Sequence, residues 1–170
     1  EQLVQKFGKN SPWWSKPRNI DRKELEQIQI RVRDVMLEVA MQLHFPGKDR
    51  RDSNMVKKGI QNYQRFIEQY GSEGNWPIYR AKIYLADALS YVGRHEEAAD
   101  VYIWASGENV NDPKKYREPT IAERKLTQPV DAGYNAVVEL QLAAAGEVAK
   151  QGGDQVKAYN QPITKRYMAA

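Results

Sequence analysis

The sequence contains no cysteine. That excludes disulfides, thiolate nucleophiles and thiolate zinc sites, and it leaves the compartment open, because cytosolic chains and disulfide-free exported chains both look this way. No apolar run approaches the roughly 18 residues that a membrane-spanning helix needs. Histidine is scarce: His44 and His95 are the two, and neither His-x-x-His nor Glu-x-x-His spacing accompanies them. A glycine-rich phosphate loop, a nucleophile elbow and a kinase signature are all missing. So is an excess of one charge. The 26 basic and 22 acidic residues leave +4, with no basic stripe, so the electrostatic footprint of a nucleic-acid binder is absent.

What is present is an ordinary folded composition, 41% apolar and 28% charged, outside the range of disordered chains. A chain of 170 residues holds one domain, or about three or four helical hairpins in a row. It begins at Glu1 without methionine, and its helical pattern is still open at Ala170. The expectation is a piece of a longer chain or a processed one.

A small residue, an aromatic four positions on and an apolar residue three further occur at Gly59, Tyr63 and Phe66. They recur 39 residues later at Ala98, Tyr102 and Ala105. A period between roughly 20 and 50 residues marks stacked supersecondary units, none of which buries its apolar face alone. The expected fold class is therefore all-α, antiparallel helical hairpins stacked as a superhelix. Arrays of this kind usually hold a partner.

Residues 1–19, with Gly8, Pro12 and Pro17 around Trp13 and Trp14, read as an extended N-terminal arm ahead of a helical domain at 20–170. Asp21 and Glu24 have capping-box spacing, and Leu25, Ile28, Val32, Val35, Met36, Val39, Ala40 and Leu43 follow at helical intervals until Pro46 and Gly47 stop the helix. Ser53 is the expected cap of a second helix over 54–70. Pro77 suits the first turn of a third that reaches Val92, and Gly93 links it tightly to a fourth over 95–106. Residues 107–128, with Gly107, Pro113 and Pro119, break the pattern and read as a flexible insertion. A fifth helix spans about 130–151. Asp154 is placed to cap a last one that Pro162 interrupts.

In this register the segment from Tyr79 to Asp112 resembles a tetratricopeptide (TPR) repeat without a gap. Leu85, Ala86, Leu89, Gly93, Ala98, Tyr102 and Ala105 occupy the large, small, core, turn, small, aromatic and closing-alanine places. Residues 54–71 look like the second helix of the preceding repeat, and Ala145, Gly146, Ala149, Gly153 and Ala158 like the next one, giving about three repeats with the insertion at 107–128. Lys82 replaces the usual opening aromatic, which the pattern tolerates; Val110 stands where a proline ends the repeat, and Pro162 where the last aromatic belongs. The stretch from Tyr63 to Tyr102 is also similar to repeats of bacterial periplasmic lipoproteins of outer-membrane assembly. That similarity implies a periplasmic or envelope location, with the cytoplasm as the alternative.

The resemblance implies that first helices line a concave groove, which in this register shows Arg80, Ile83, Asp87, Ser90 and Tyr91. An aromatic with a nearby charge suits a peptide partner. Other candidate chemistry has a plainer explanation. His44 reads as a helix C-terminal histidine and His95 as a surface one. Asp131, Glu139 and Glu147, eight residues apart, read as a solvated stripe. Trp13 and Trp14 read as pins for the arm, with sugar stacking or a membrane interface as alternatives. Lys114, Lys115, Tyr116 and Arg117 read as part of a mobile or partner-touching loop. The expected function is a non-catalytic protein-interaction scaffold in a larger assembly, with no cofactor, no metal, no nucleic acid and no membrane span. The alternatives are an accessory helical domain of a cell-wall enzyme such as a lytic transglycosylase and, more weakly, an RNA-binding helical repeat.

Overall fold

The computed structural model describes residue 12 and residues 21–73, 75–114, 116–153 and 161–169. Among these every regular element is helical: α1 (Arg22–Asp49), α2 (Ser53–Tyr70), a 3₁₀ turn (Gly71–Glu73), α3 (Trp76–Tyr91), α4 (His95–Ser106), α5 (Ile121–Arg124), α6 (Pro129–Lys150) and α7 (Pro162–Met168). The expected arm at 1–19 and the Asp154 cap lie outside the described residues, apart from Pro12. No described helix is long and apolar enough to cross a membrane.

Packing follows chain order: α1 on α2, α2 on α3, α3 on α4, α4 on α6 and α6 on α7, with a lighter contact of α1 on α3. The α1–α2 contact shows why the sequence demands small residues here. A β-carbon on Gly59 would lie 3.2 Å from the backbone nitrogen of His44 and 3.3 Å from the carbonyl oxygen of Ala40. The bare backbone lets the two helices approach. Val56, Ile60, Tyr63, Phe66 and Tyr70 of α2 then fill the space beside Met36, Leu37 and Ala40 of α1. Each large apolar side chain so buried contributes about 1.5–3 kcal/mol.

Several helix ends differ from the sequence expectation. Pro46 and Gly47 do not stop α1, which runs to Asp49. A proline in the last turn forfeits one hydrogen bond, and the following carbonyls are closed by Arg50 N–H to Pro46, Arg51 N–H to Lys48 and Asp52 N–H to Gly47. Arg51 takes the left-handed conformation this closure needs, φ 56°, and Gly47 is buried where a β-carbon would meet Val56 at 2.9 Å. Asp21 sits at the N-cap of α1, but its side chain accepts no capping bond, so the expected capping box does not form. Asp52, not Ser53, caps α2 by accepting from the N–H groups of Asn54 and Met55, each at 3.0 Å. Asn75 caps α3. Gly93, φ 78°, closes α3 with Arg94 N–H to Leu89 and Gly93 N–H to Ser90, a turn that hands the chain directly to α4. Pro162 opens α7 and does not interrupt it, since its fixed φ suits a first helical position.

The largest correction concerns residues 107–128. Instead of looping out, this segment completes a second core, in which Val110, Tyr116 and Leu126 join Trp76, Tyr79, Ile83, Ala86, Tyr102, Ala105, Ala132 and Ala136. The Trp76 indole N–H donates to the Arg117 carbonyl (2.7 Å) and the Tyr79 hydroxyl to the Thr127 carbonyl (2.6 Å). Thr120 and Glu123 form a reciprocal capping box on α5, and Arg117 grips the buried Glu123 with two bonds of 2.8 Å. Burial alone would raise the Glu123 carboxyl; the bonds from Arg117 and Thr120 overcome it and hold it below the usual range. Lys82 is also not a neutral replacement. It is fully buried, paired with Glu108, which in turn accepts from the Tyr116 hydroxyl at 2.9 Å.

Candidate functional site

Helices α1 and α3 run side by side in the same direction. Arg33 meets Glu73 just ahead of α3 (3.4 Å), the rings of Phe45 and Tyr84 meet edge-on with centroids 5.0 Å apart, and Lys48 reaches Asp87 (2.7 Å) and lies 5.7 Å from the Tyr91 ring centroid. Later residues of one helix therefore meet later residues of the other along the crevice between them.

Two clefts open along this crevice. The first, about 400 Å³, is lined by Phe45, Ile83, Tyr84 and Asp87, by Tyr102 of α4, and by Ala122, Lys125, Leu126 and Thr127 around α5. Its walls are aromatic and aliphatic, with Asp87 and Lys125 as the charged groups. The second, about 540 Å³, is lined by Arg33, Asp34, Leu37, Glu38 and Met41 of α1, Pro77 and Arg80 of α3, and Arg117. On α1 the positions 37, 41 and 45 follow one stripe; on α3 the positions 80, 84 and 87 do the same. Both clefts thus lie along the same pair of helices.

A polar knot joins the walls. Lys48 donates to both oxygens of Asp87 (3.0 and 2.7 Å). His44 Nε2 lies 3.1 Å from the same carboxylate, which sits off the direction of the ring N–H, so the contact is electrostatic more than a directed hydrogen bond. The other ring nitrogen is 3.3 Å from the Tyr63 hydroxyl, and Phe45 stacks on the imidazole at 4.5 Å. Burial would raise the Asp87 carboxyl, but the contacts from His44 and Lys48 outweigh it and hold it below its ordinary value. Burial raises the phenols of Tyr63 and Tyr84, with the charge of Arg80 working against the rise in both. The Tyr102 phenol is pushed up to about 12 by burial, helped by the charges of Asp87 and Glu139. These phenols stay neutral donors at any ordinary pH.

The five groove residues expected from the sequence separate into three places. Ile83 and Asp87 line the first cleft, although Ile83 is buried and Asp87 is already engaged by Lys48 and His44. Arg80 lines the second. Ser90, half-buried, and Tyr91, partly exposed beneath Lys48, lie beyond both. Phe45, Tyr84, Lys125 and Leu126 were not legible as site residues. The stripe Arg80, Tyr84, Asp87, Tyr91 carried a signal for Tyr84, whereas nothing local in the sequence brings Leu126 to α3.

The histidines and the acidic stripe also differ from expectation. His44 is not a simple helix-end residue but is wholly buried. His95 lies within 2.8 Å of Glu139, tying α4 to α6, so Glu139 is buried rather than part of a solvated stripe. Asp131 is exposed, and Glu147 accepts from Gln151 (2.9 Å) on its own helix end. Among the described residues no three His, Asp or Glu side chains gather to form a possible metal site.

Comparison with protein-family models, curated proteins and solved structures finds no match to this chain.

Proposed function

We propose that this chain is a TPR-like, non-catalytic scaffold that holds a peptide segment of a partner protein in the α1–α3 groove. The observation that carries the reading is the pair of clefts between two parallel helices of successive hairpins, one of them open and apolar at Phe45, Ile83, Tyr84 and Leu126. A partner's side chain fits there by burying apolar surface against rigid walls, and the polar knot below fixes the spacing of those walls. The non-catalytic reading is supported by where the titratable groups are. His44, the natural general base of the knot, is sealed from solvent, and His95 and Glu139 are engaged in joining helices. The envelope location rests on the likeness of the Tyr63–Tyr102 stretch to periplasmic lipoprotein repeats.

Site-specific photo-crosslinking tests the groove. A photoreactive side chain at exposed Lys125, on the rim of the apolar cleft, is expected to capture a discrete partner in an extract of the source cells, whereas the same group at Glu97 on α4 is not. Capture from Glu97 with none from Lys125 would place the interaction on the outer face and overturn the reading.

A further inference from the structure

Arg80 is the unusual residue of the groove. Arg33 is paired with Asp34 (3.3 Å) and Glu73 (3.4 Å), and Arg117 is held by Glu123. Among the described residues no acid lies within ion-pair distance of Arg80, and its Nε is shielded from solvent without a hydrogen-bond partner. It lines the second cleft and stands one helical turn before Tyr84, which lines the first. Arg80 as a whole is half-buried and lines the open cleft, and a guanidinium with no anion of its own gains from a planar carboxylate that accepts two parallel bonds from its terminal N–H groups.

We infer that the groove selects an acidic peptide, seating an Asp or Glu side chain on Arg80 while an aliphatic or aromatic side chain fills the adjoining cleft. The inference rests on the groove reading above and adds the chemistry of its ligand. The spacing follows from geometry. Arg80 and the Ile83–Tyr84 pair are three or four residues apart on α3, a rise of about 4.5–6 Å. An extended peptide repeats same-side side chains about every 6.6 Å. The acidic and apolar residues of the ligand are therefore two positions apart. Asp34 and Glu38 line the same cleft as Arg80, so the groove is no general attractor of anions. Recognition depends on direct contact with one guanidinium, reached by a side chain that the apolar anchor has already positioned.

The test is a synthetic array of ten-residue peptides probed with the full chain. The set places Leu or Phe two positions from Asp or Glu, from Asn or Gln, and from Lys, on an otherwise constant background. Binding by the acidic set is expected to exceed that by the amide set about tenfold or more. Arg80→Ala, checked for an unchanged helical spectrum and melting, should erase that preference while keeping the apolar requirement, and Arg80→Glu should shift it to the Lys set. Binding that needs Leu or Phe but ignores the acid, or an acid preference that survives in folded Arg80→Ala, overturns this inference and leaves the groove reading standing. If no peptide class binds, both fall.

Discussion

The ammonium of Lys82 lies over the indole of Trp104, 3.7 Å from the ring centroid, while it pairs with Glu108. A lysine this deeply buried is tolerated because it has both an anion and an aromatic face as partners. Lys82→Ala would leave Glu108 and its bond from Tyr116 without their cation, so a loss of about 3 kcal/mol is expected in urea unfolding. Lys82→Met, which keeps the volume without the charge, should lose about as much, since in both variants the carboxylate is stranded. The double variant Lys82→Met with Glu108→Gln should recover much of it.

Residues 107–128 are predicted to be indispensable to the fold. Replacing them with a short Gly/Ser link would expose Trp76, Tyr79 and Tyr102 and remove the acceptors of the Trp76 and Tyr79 bonds. Tyr116→Ala alone should cost about 3–5 kcal/mol, as truncation of a buried aromatic does. Tyr116→Phe should cost about 1.5–3 kcal/mol for the bond to the charged Glu108. Unchanged denaturation midpoints in both would show the segment to be a bystander.

The regular part of the fold was legible because its signals are local. Helix α4 occupies the span its small and aromatic residues predict, and Ala98 and Tyr102 are buried where the repeat spacing puts them. What the sequence concealed depends on distant partners. Prolines and polar residues announce that 107–128 is not helical, but they carry no information about Trp76, some 40 positions upstream, holding the Arg117 carbonyl. His44 likewise reads as an ordinary helix-end residue, and Glu139 as a solvated one, until Asp87 and His95 are brought to them by packing. Arg80 does line a cleft between α1 and α3; its lack of an ion pair was not legible, because ion pairing between helices is a tertiary fact.

Asp87, together with Glu123, contributes to the acid limb of stability. Its carboxyl is held below the ordinary value in the folded chain, so its contribution is fully present above about pH 4, where the unfolded carboxyl titrates. It is lost as pH falls through that value toward the lower folded one. Asp87→Asn should be less stable than the parent at pH 7 and show a flatter decline below about pH 4 in a urea series. An acid limb as steep as the parent's would mean that other carboxylates govern it.

Gly59→Ala tests the closeness of α1 and α2. The added methyl would press on the backbone of Ala40 and His44, which cannot swing aside as a side chain would. The helix-propensity gain of up to about 1 kcal/mol is then outweighed by overpacking of about 1–3 kcal/mol. A net loss in thermal stability is expected, in contrast to Gly146→Ala, whose β-carbon meets nothing within 4 Å.

Hydrogen–deuterium exchange of the full chain, alone and with its tightest-binding array peptide, addresses the central claim directly. Slowed exchange is expected around residues 33–48 of α1, 80–87 of α3 and 122–127 at α5, with α2 and the outer face of α4 unchanged. Protection centred on α2 and α4, with the α1–α3 groove unaffected, would contradict it.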